Sequence, residues 1–169
     1  LFPKLKNKHG MRKALEINLP RFPTHAQISK NKWVKISGNT FYSGTHYIIR
    51  NKVFRVMHDY IDHYIPKDIV FSRIETEMIF KAPLNYGTVR RTKSKGISWN
   101  PPKDDYVPNW DIDNLAWPWT KAIFDTIISN NIVPDDNIKY VIGNSYRYEK
   151  CDSMDDRSIN VKIKAYGMD

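Results

Sequence analysis

Residues 110–136 read WDIDNLAWPWTKAIFDTIISNNIVPDD, and the periodicity of this stretch organises the rest of the chain. Between 119 and 130, apolar side chains recur at Ala122, Ile123, Phe124, Ile127 and Ile128, the three-and-four spacing of a helix with one buried face. Pro118 stands where a helix accepts proline most easily, in its first turn, which predicts a start there. Pro134 and residues 135–137 read as a turn. Ile138, Tyr140 and Ile142 then alternate as in a strand, with Tyr146 and Tyr148 continuing it or forming a second one.

Working outward, residues 73–82 alternate Ile74, Thr76, Met78 and Phe80 and stop before Pro83, the pattern of a core strand. Residues 45–64 repeat apolar positions at Tyr47, Phe54 and Ile61, and again at Met57 and Tyr64, which predicts a second amphipathic helix closed by Pro66. Leu15, Ile17 and Leu19 alternate up to Pro20, and Ile159, Val161, Ile163 and Ala165 alternate near the other end. The order β–α–β–α–β–β predicts an α+β domain, a mixed β-sheet with two main helices, over residues 14–169. A basic tail over 1–13 precedes it. Residues 20–44 and 84–110 read as two long loops, of the kind that carries function. The first holds Arg21, Lys30, Lys32 and Lys35, and the second Arg90, Arg91, Lys93 and Lys95.

A chain of 169 residues that is 41% hydrophobic can bury a core without a staple. Its single Cys151 excludes an intrachain disulfide, and one cysteine with five histidines offers no structural zinc spacing. No apolar run reaches the roughly 18 residues of a membrane span. The opening LFPKLKNKHGMRK lacks the apolar centre of a secretory signal. The expectation is a reduced, soluble, cytoplasmic protein with no membrane partner. The net charge of +9 is unevenly spread: residues 1–100 carry 19 Lys and Arg against 6 Asp and Glu, residues 101–169 carry 8 against 12. A basic surface concentrates polyanions. Acids gathered in an otherwise basic chain are expected to hold something positive.

Asp111 and Asp113 lie two apart just before the helix, and in an extended segment such side chains share a face. Two carboxylates so close repel unless a cation lies between them. Asp135 and Asp136 follow the helix, on a turn that can fold back beside the first pair. Converging carboxylates form an all-oxygen site suited to Mg²⁺, which keeps several waters and is shared with substrate phosphate. Such a site serves phosphodiester hydrolysis, where charge on phosphoryl oxygen must be stabilised and water activated. Lys121 can reach a scissile phosphate, or it can pair with Asp125 four residues on. The acids also have a plainer reading, as helix-capping and turn residues.

The motif Asp111-Ile112-Asp113-Asn114, then Lys121-Ala122-Ile123-Phe124-Asp125-Thr126-Ile127, then Asp135-Asp136, resembles the RusA-type Holliday junction resolvases, mostly phage endodeoxyribonucleases. The likeness covers about residues 109–142, and elsewhere extends to the order of elements and the opening strand from Ile17 to Pro20. It implies a homodimer in the host cytoplasm that binds four-way DNA junctions and cuts them with Mg²⁺, Mn²⁺ being a substitute. By position, Asp111, Asp113 and Asp136 would be the metal-binding catalytic carboxylates and Lys121 the catalytic lysine. Asn114 and Asp135 would shape the turns and support the carboxylates from behind. In the family the lysine follows the asparagine after two residues, whereas here LAWPWT intervenes. Either the helix begins late, keeping Lys121 on the usual face, or Trp117 occupies the lysine position. Two other roles fit the same residues: a nuclease on flaps, forks or structured RNA, and a catalytically silent DNA-binding phage accessory protein.

Arg90, Arg91, Lys93 and Lys95 are placed to contact DNA phosphates beside the acids. Trp99, Trp110, Trp117 and Trp119 cluster around them in sequence, for packing or for insertion into an opened junction. His58 and His63 are read as surface or interface residues of the first helix.

Overall fold

The computed structural model describes residues 11–42, 44–83, 97–98 and 111–166. In chain order its elements are β1 (Met11–Pro20), β2 (His25–Ser29), β3 (Lys32–Lys35), α1 (Gly38–Tyr42), α2 (Tyr47–Asp62), β4 (Arg73–Ala82), β5 (Ile97–Ser98), α3 (Ile112–Ser129), β6 (Val141–Lys150), a one-turn 3₁₀ helix (Met154–Asp156) and β7 (Ser158–Tyr166).

Strict alternation puts β4 and β7 at the centre of the main sheet, which runs β1-β7-β4-β6. Ile74, Met78 and Phe80 of β4 point to one face with Ile159, Val161 and Ile163 of β7 and Ile17 and Leu19 of β1, all of them buried. The opposite face carries polar and charged side chains that pair across strands. Glu77 takes Arg147 and Lys162, Lys81 takes Glu149, and Glu16 accepts from Asn160 at 2.6 Å. β1 and β4 run antiparallel to β7, while β6 runs parallel to β4. A parallel neighbour needs a crossover, and α3 supplies it. The sheet is therefore mixed and the domain α+β, as the pattern of elements implies.

Two helices cover the apolar face. α2 buries Val53, Met57 and Ile61, and α3 buries Leu115, Ala116, Trp119, Ala122, Ile123 and Ile127. Trp119 is fully buried, edge-on to Phe22 at 5.5 Å and to Tyr60 at 5.9 Å between ring centroids. Truncating such a side chain costs about 3–5 kcal/mol. No helix among the described residues is long and apolar enough to cross a membrane.

Several boundaries differ from the sequence reading. Residues 20–44 form a hairpin and a short helix rather than a loop: β2 pairs with β3, and β5 adds to β3 in a second, three-stranded sheet. Ala26, Val34 and Ile36 drive this, since each is wholly buried. The strand β1 begins at Met11, inside the stretch read as a tail. Of the second long loop, Ile97–Ser98 is strand β5, and the rest lies outside the described residues. The edge strand β6 starts at Val141, not Ile138, because Asn137 makes the preceding turn. Its carbonyl accepts from the Tyr140 and Val141 amides and its side chain from the Lys139 amide at 3.0 Å, leaving Ile138 91% exposed.

Candidate functional site

The helix α3 opens at Ile112, six residues before the expected start, and Pro118 sits inside it and buried. Proline at this point cannot donate to the carbonyl of Asn114, four residues back. The turn is held instead by packing, with Leu115, Ala116 and Trp119 in the core on either side of the proline. Asp111 is the N-cap in extended conformation, φ −80° and ψ 158°, and Asp113 lies in the first helical turn. The extended segment that was to put both carboxylates on one face is thus absent. They are neighbours for another reason: both are exposed at the positive end of α3, where each negative charge gains about 0.3–1 kcal/mol.

Around these two carboxylates the chain places a small polar network. The Asn114 side-chain amide donates to Asp111 Oδ1, and Asn114 Oδ1 accepts the Asn39 backbone N–H at 2.9 Å. Asn114 therefore ties the start of α3 to α1. Gly38 makes that approach possible, since a Cβ there would stand 2.9 Å from Asn114 Oδ1 and 3.3 Å from its Cα. From the edge strand, the Tyr146 hydroxyl donates to Asp113 Oδ1 at 3.0 Å, a bond that pushes the phenol's ionisation upward. At the end of β3, burial pushes the Lys35 ammonium toward its neutral form, and the nearby Asp111 carboxylate opposes this. Asn114 thus holds Asp111 from behind. Gly38, Asn39 and Tyr146 escaped the sequence reading, which had no signal pairing residues so far apart in the chain.

Lys121 stands seven residues beyond Asn114 on an uninterrupted helix, so the late-start reading fails. At 1.5 Å per residue it lies about 10 Å further along the axis, on the same face. Its Nζ is 2.9 and 3.1 Å from the two oxygens of Asp125. Asp125 also lies 3.7 Å from His58 Nε2, which links α3 to α2. Burial lowers the His58 pKa, with Asp125 pulling the other way. Trp117, three residues after Asn114, takes the register where the resemblance places a lysine.

Asp135 and Asp136 follow the other end of α3. The Asp135 carboxylate accepts the Asp136 amide at 2.8 Å and the Asn137 side chain at 2.6 Å, which makes it a turn-forming residue. That turn is tied to the start of β4, where Phe71 donates to the Ile132 carbonyl and Ile74 to that of Tyr140, both at 2.7 Å. The 18-residue helix α3, about 27 Å long, lies between it and the first pair along the chain. Among the described residues, no three Asp, Glu, His or Cys side chains come together as a metal site. Asp111 and Asp113 are the exposed carboxylates at the start of α3, and oxygens of this kind suit a hard cation that keeps most of its water. Asp136 does not join them within one chain. Arg90, Arg91, Lys93 and Lys95, with Trp99 and Trp110, lie outside the described residues. Comparison with protein-family models and with curated proteins finds no match for this chain.

Proposed function

We propose that this chain is a Mg²⁺-dependent, RusA-like endonuclease that cuts four-way junctions or other branched DNA by phosphodiester hydrolysis, acting as a homodimer. The observation that supports it most is the pair Asp111 and Asp113, exposed together at the start of α3 in a chain of net charge +9. These two carboxylates would hold the ion, which when bound stabilises charge on the phosphoryl oxygens and activates water. Asn114 orients Asp111, and the Tyr146 hydroxyl fixes Asp113. The amide groups of the α3 start favour a phosphate beside them, and Lys35 adds a cation near Asp111. Asp136 enters this reading through the resemblance alone. Lys121 would need to leave Asp125 to reach phosphate.

A second reading is a DNA-binding accessory protein without catalysis. It draws on the same two facts, that Lys121 is paired with Asp125 and that the Asp136 turn belongs to the far end of α3. Incubating the protein with a labelled four-way junction, a flap, a fork, a structured RNA and linear duplex, in Mg²⁺ and in EDTA, separates the readings. Paired Mg²⁺-dependent nicks across the junction, with duplex intact, are expected. A junction that is bound but uncut in Mg²⁺ leaves the accessory reading, and preferred cutting of flaps, forks or RNA reassigns the substrate.

A further inference from the structure

Two tryptophans two residues apart on α3 have opposite fates. Trp119 is wholly buried, whereas Trp117 is 36% exposed, a large share for an indole on a packed helix. Its ring lies 5.0 Å from that of Tyr42, tilted by 38°, and Tyr42 is 70% exposed. Underneath, Phe41 meets Trp117 edge-on at 5.7 Å and in turn packs on Phe54 of α2 at 4.6 Å. The outer pair is thus braced from the core side and leaves aromatic surface to solvent. The elements that carry it are fixed to the candidate site, because α1 is joined to Asn114 through the Asn39 amide.

The charge around this pair narrows what could cover it. Residues 17–58 comprise the end of β1, the hairpin, α1 and most of α2. They hold seven Lys and Arg and no Asp or Glu of their own, the acids against them, Asp155 at Arg21 and Asp111 at Lys35, coming from other elements. Lys52 of α2 donates to the Ile28 carbonyl of β2 at 3.4 Å, so basic side chains of helix and hairpin belong to one unit. An occupant must offer flat apolar faces and negative charge together. Unpaired nucleotides do, since every base has a π-face and every linkage a phosphate. A duplex keeps its base faces inside the stack, and a protein helix offers no regular phosphate-like charge.

We propose that Tyr42 and Trp117 form a stacking platform for an unpaired base, with the acid-free 17–58 unit tracking the phosphates of that strand. This deepens the endonuclease reading by naming what the site holds next to its acids: a nucleotide unstacked at a branch. It rests on that reading only for the branch; the single-strand contact stands alone.

The test is binding of a fluorescein-labelled fifteen-nucleotide oligothymidylate and of a fifteen-base-pair duplex, by anisotropy in EDTA and low salt. The proteins are the full chain, Trp117→Ala, Trp117→Phe and Tyr42→Ala, each checked by thermal melting. Loss of one stacked base is expected to weaken oligothymidylate binding by about 5- to 150-fold in both alanine variants. Duplex affinity stays within threefold, and Trp117→Phe, which keeps a ring, stays within threefold of wild type on both. Tyr42→Ala keeps the test valid if Trp117→Ala fails to fold. Alanine variants that bind oligothymidylate like wild type overturn the platform, as does a wild type that binds duplex but not the single strand. Because the assay contains neither junction nor Mg²⁺, aromatic-dependent binding without junction cleavage refutes the endonuclease and keeps the platform. Cleavage without aromatic-dependent binding does the reverse.

Discussion

Replacing Gly38 with alanine probes the joint between α1 and α3 on which the candidate site depends. The added methyl would stand 2.9 Å from Asn114 Oδ1 and 3.3 Å from Asn114 Cα. The first atom is held by its bond to the Asn39 amide, and the second belongs to the backbone of α3, so neither yields freely. Overpacking of this kind costs about 1–3 kcal/mol. In a chain of this length that corresponds to a melting point lower by roughly 3–10 °C. Gly143→Ala is the control, because its nearest contact, Glu75 Cγ at 3.0 Å, belongs to a side chain rather than to backbone. It should shift melting by no more than about 2 °C, within the range of an ordinary surface substitution. Asn114→Ala removes two side-chain hydrogen bonds, at roughly 1–2 kcal/mol. It also removes the oxygen that the new methyl strikes. The double variant should therefore be less damaged than the two single effects added together, by about 1 kcal/mol or more. Thermal unfolding followed by circular dichroism reads all four proteins. A Gly38→Ala melting point within 1 °C of wild type, or strict additivity, would refute the claimed contact.

Three further outcomes are expected. Burial, then the charge of Lys35, lowers the His25 pKa from 6.5 to about 4. The unfolded chain then binds the extra proton between those values, so stability should fall as pH drops from 6.5 to 4 and level off below. A fully shielded ring would give about 3 kcal/mol; contact with water reduces this to roughly 1–2 kcal/mol, and His25→Asn should flatten that part of the urea-melt profile. Tyr146→Phe removes the donor that fixes Asp113; it should raise the Mg²⁺ concentration for half-maximal cleavage severalfold with melting unchanged, and an unaltered Mg²⁺ curve would detach Asp113 from the ion. Replacing Arg90, Arg91, Lys93 and Lys95 together by alanine should flatten the log–log salt dependence of duplex binding by up to about 3.6, at 0.9 per lost phosphate contact. An unchanged slope would mean that these side chains make no such contact.

Local patterning made β4, β7 and the bodies of α2 and α3 legible in the sequence, because their burial repeats with periods of two or of three and four. The hairpin was missed because its buried positions, Ala26, Val34 and Ile36, are interrupted by lysines and a turn. The start of α3 was misplaced because Pro118 was weighed by propensity, while packing of Leu115, Ala116 and Trp119 overrides it. In the site, a supporting role for Asn114 came only with the resemblance, and its bond to Asp111 is a feature of the fold. The partners that complete the network come from Asn39 and Tyr146, 75 and 33 residues from their acceptors, and only the fold brings them there. The separation of Asp136 from Asp113 is likewise a matter of helix length and of how the following turn is tied down, neither of which a motif encodes.

The most direct test of the endonuclease reading is single-turnover cleavage of a labelled four-way junction by wild type and Asp113→Asn, with junction affinity measured alongside. Asparagine keeps the shape and an acceptor for Tyr146 while removing the charge. The account predicts unchanged or tighter binding and a cleavage rate lower by about 10³, the equivalent of roughly 4 kcal/mol of lost transition-state stabilisation. Cleavage by Asp113→Asn within tenfold of wild type would contradict it.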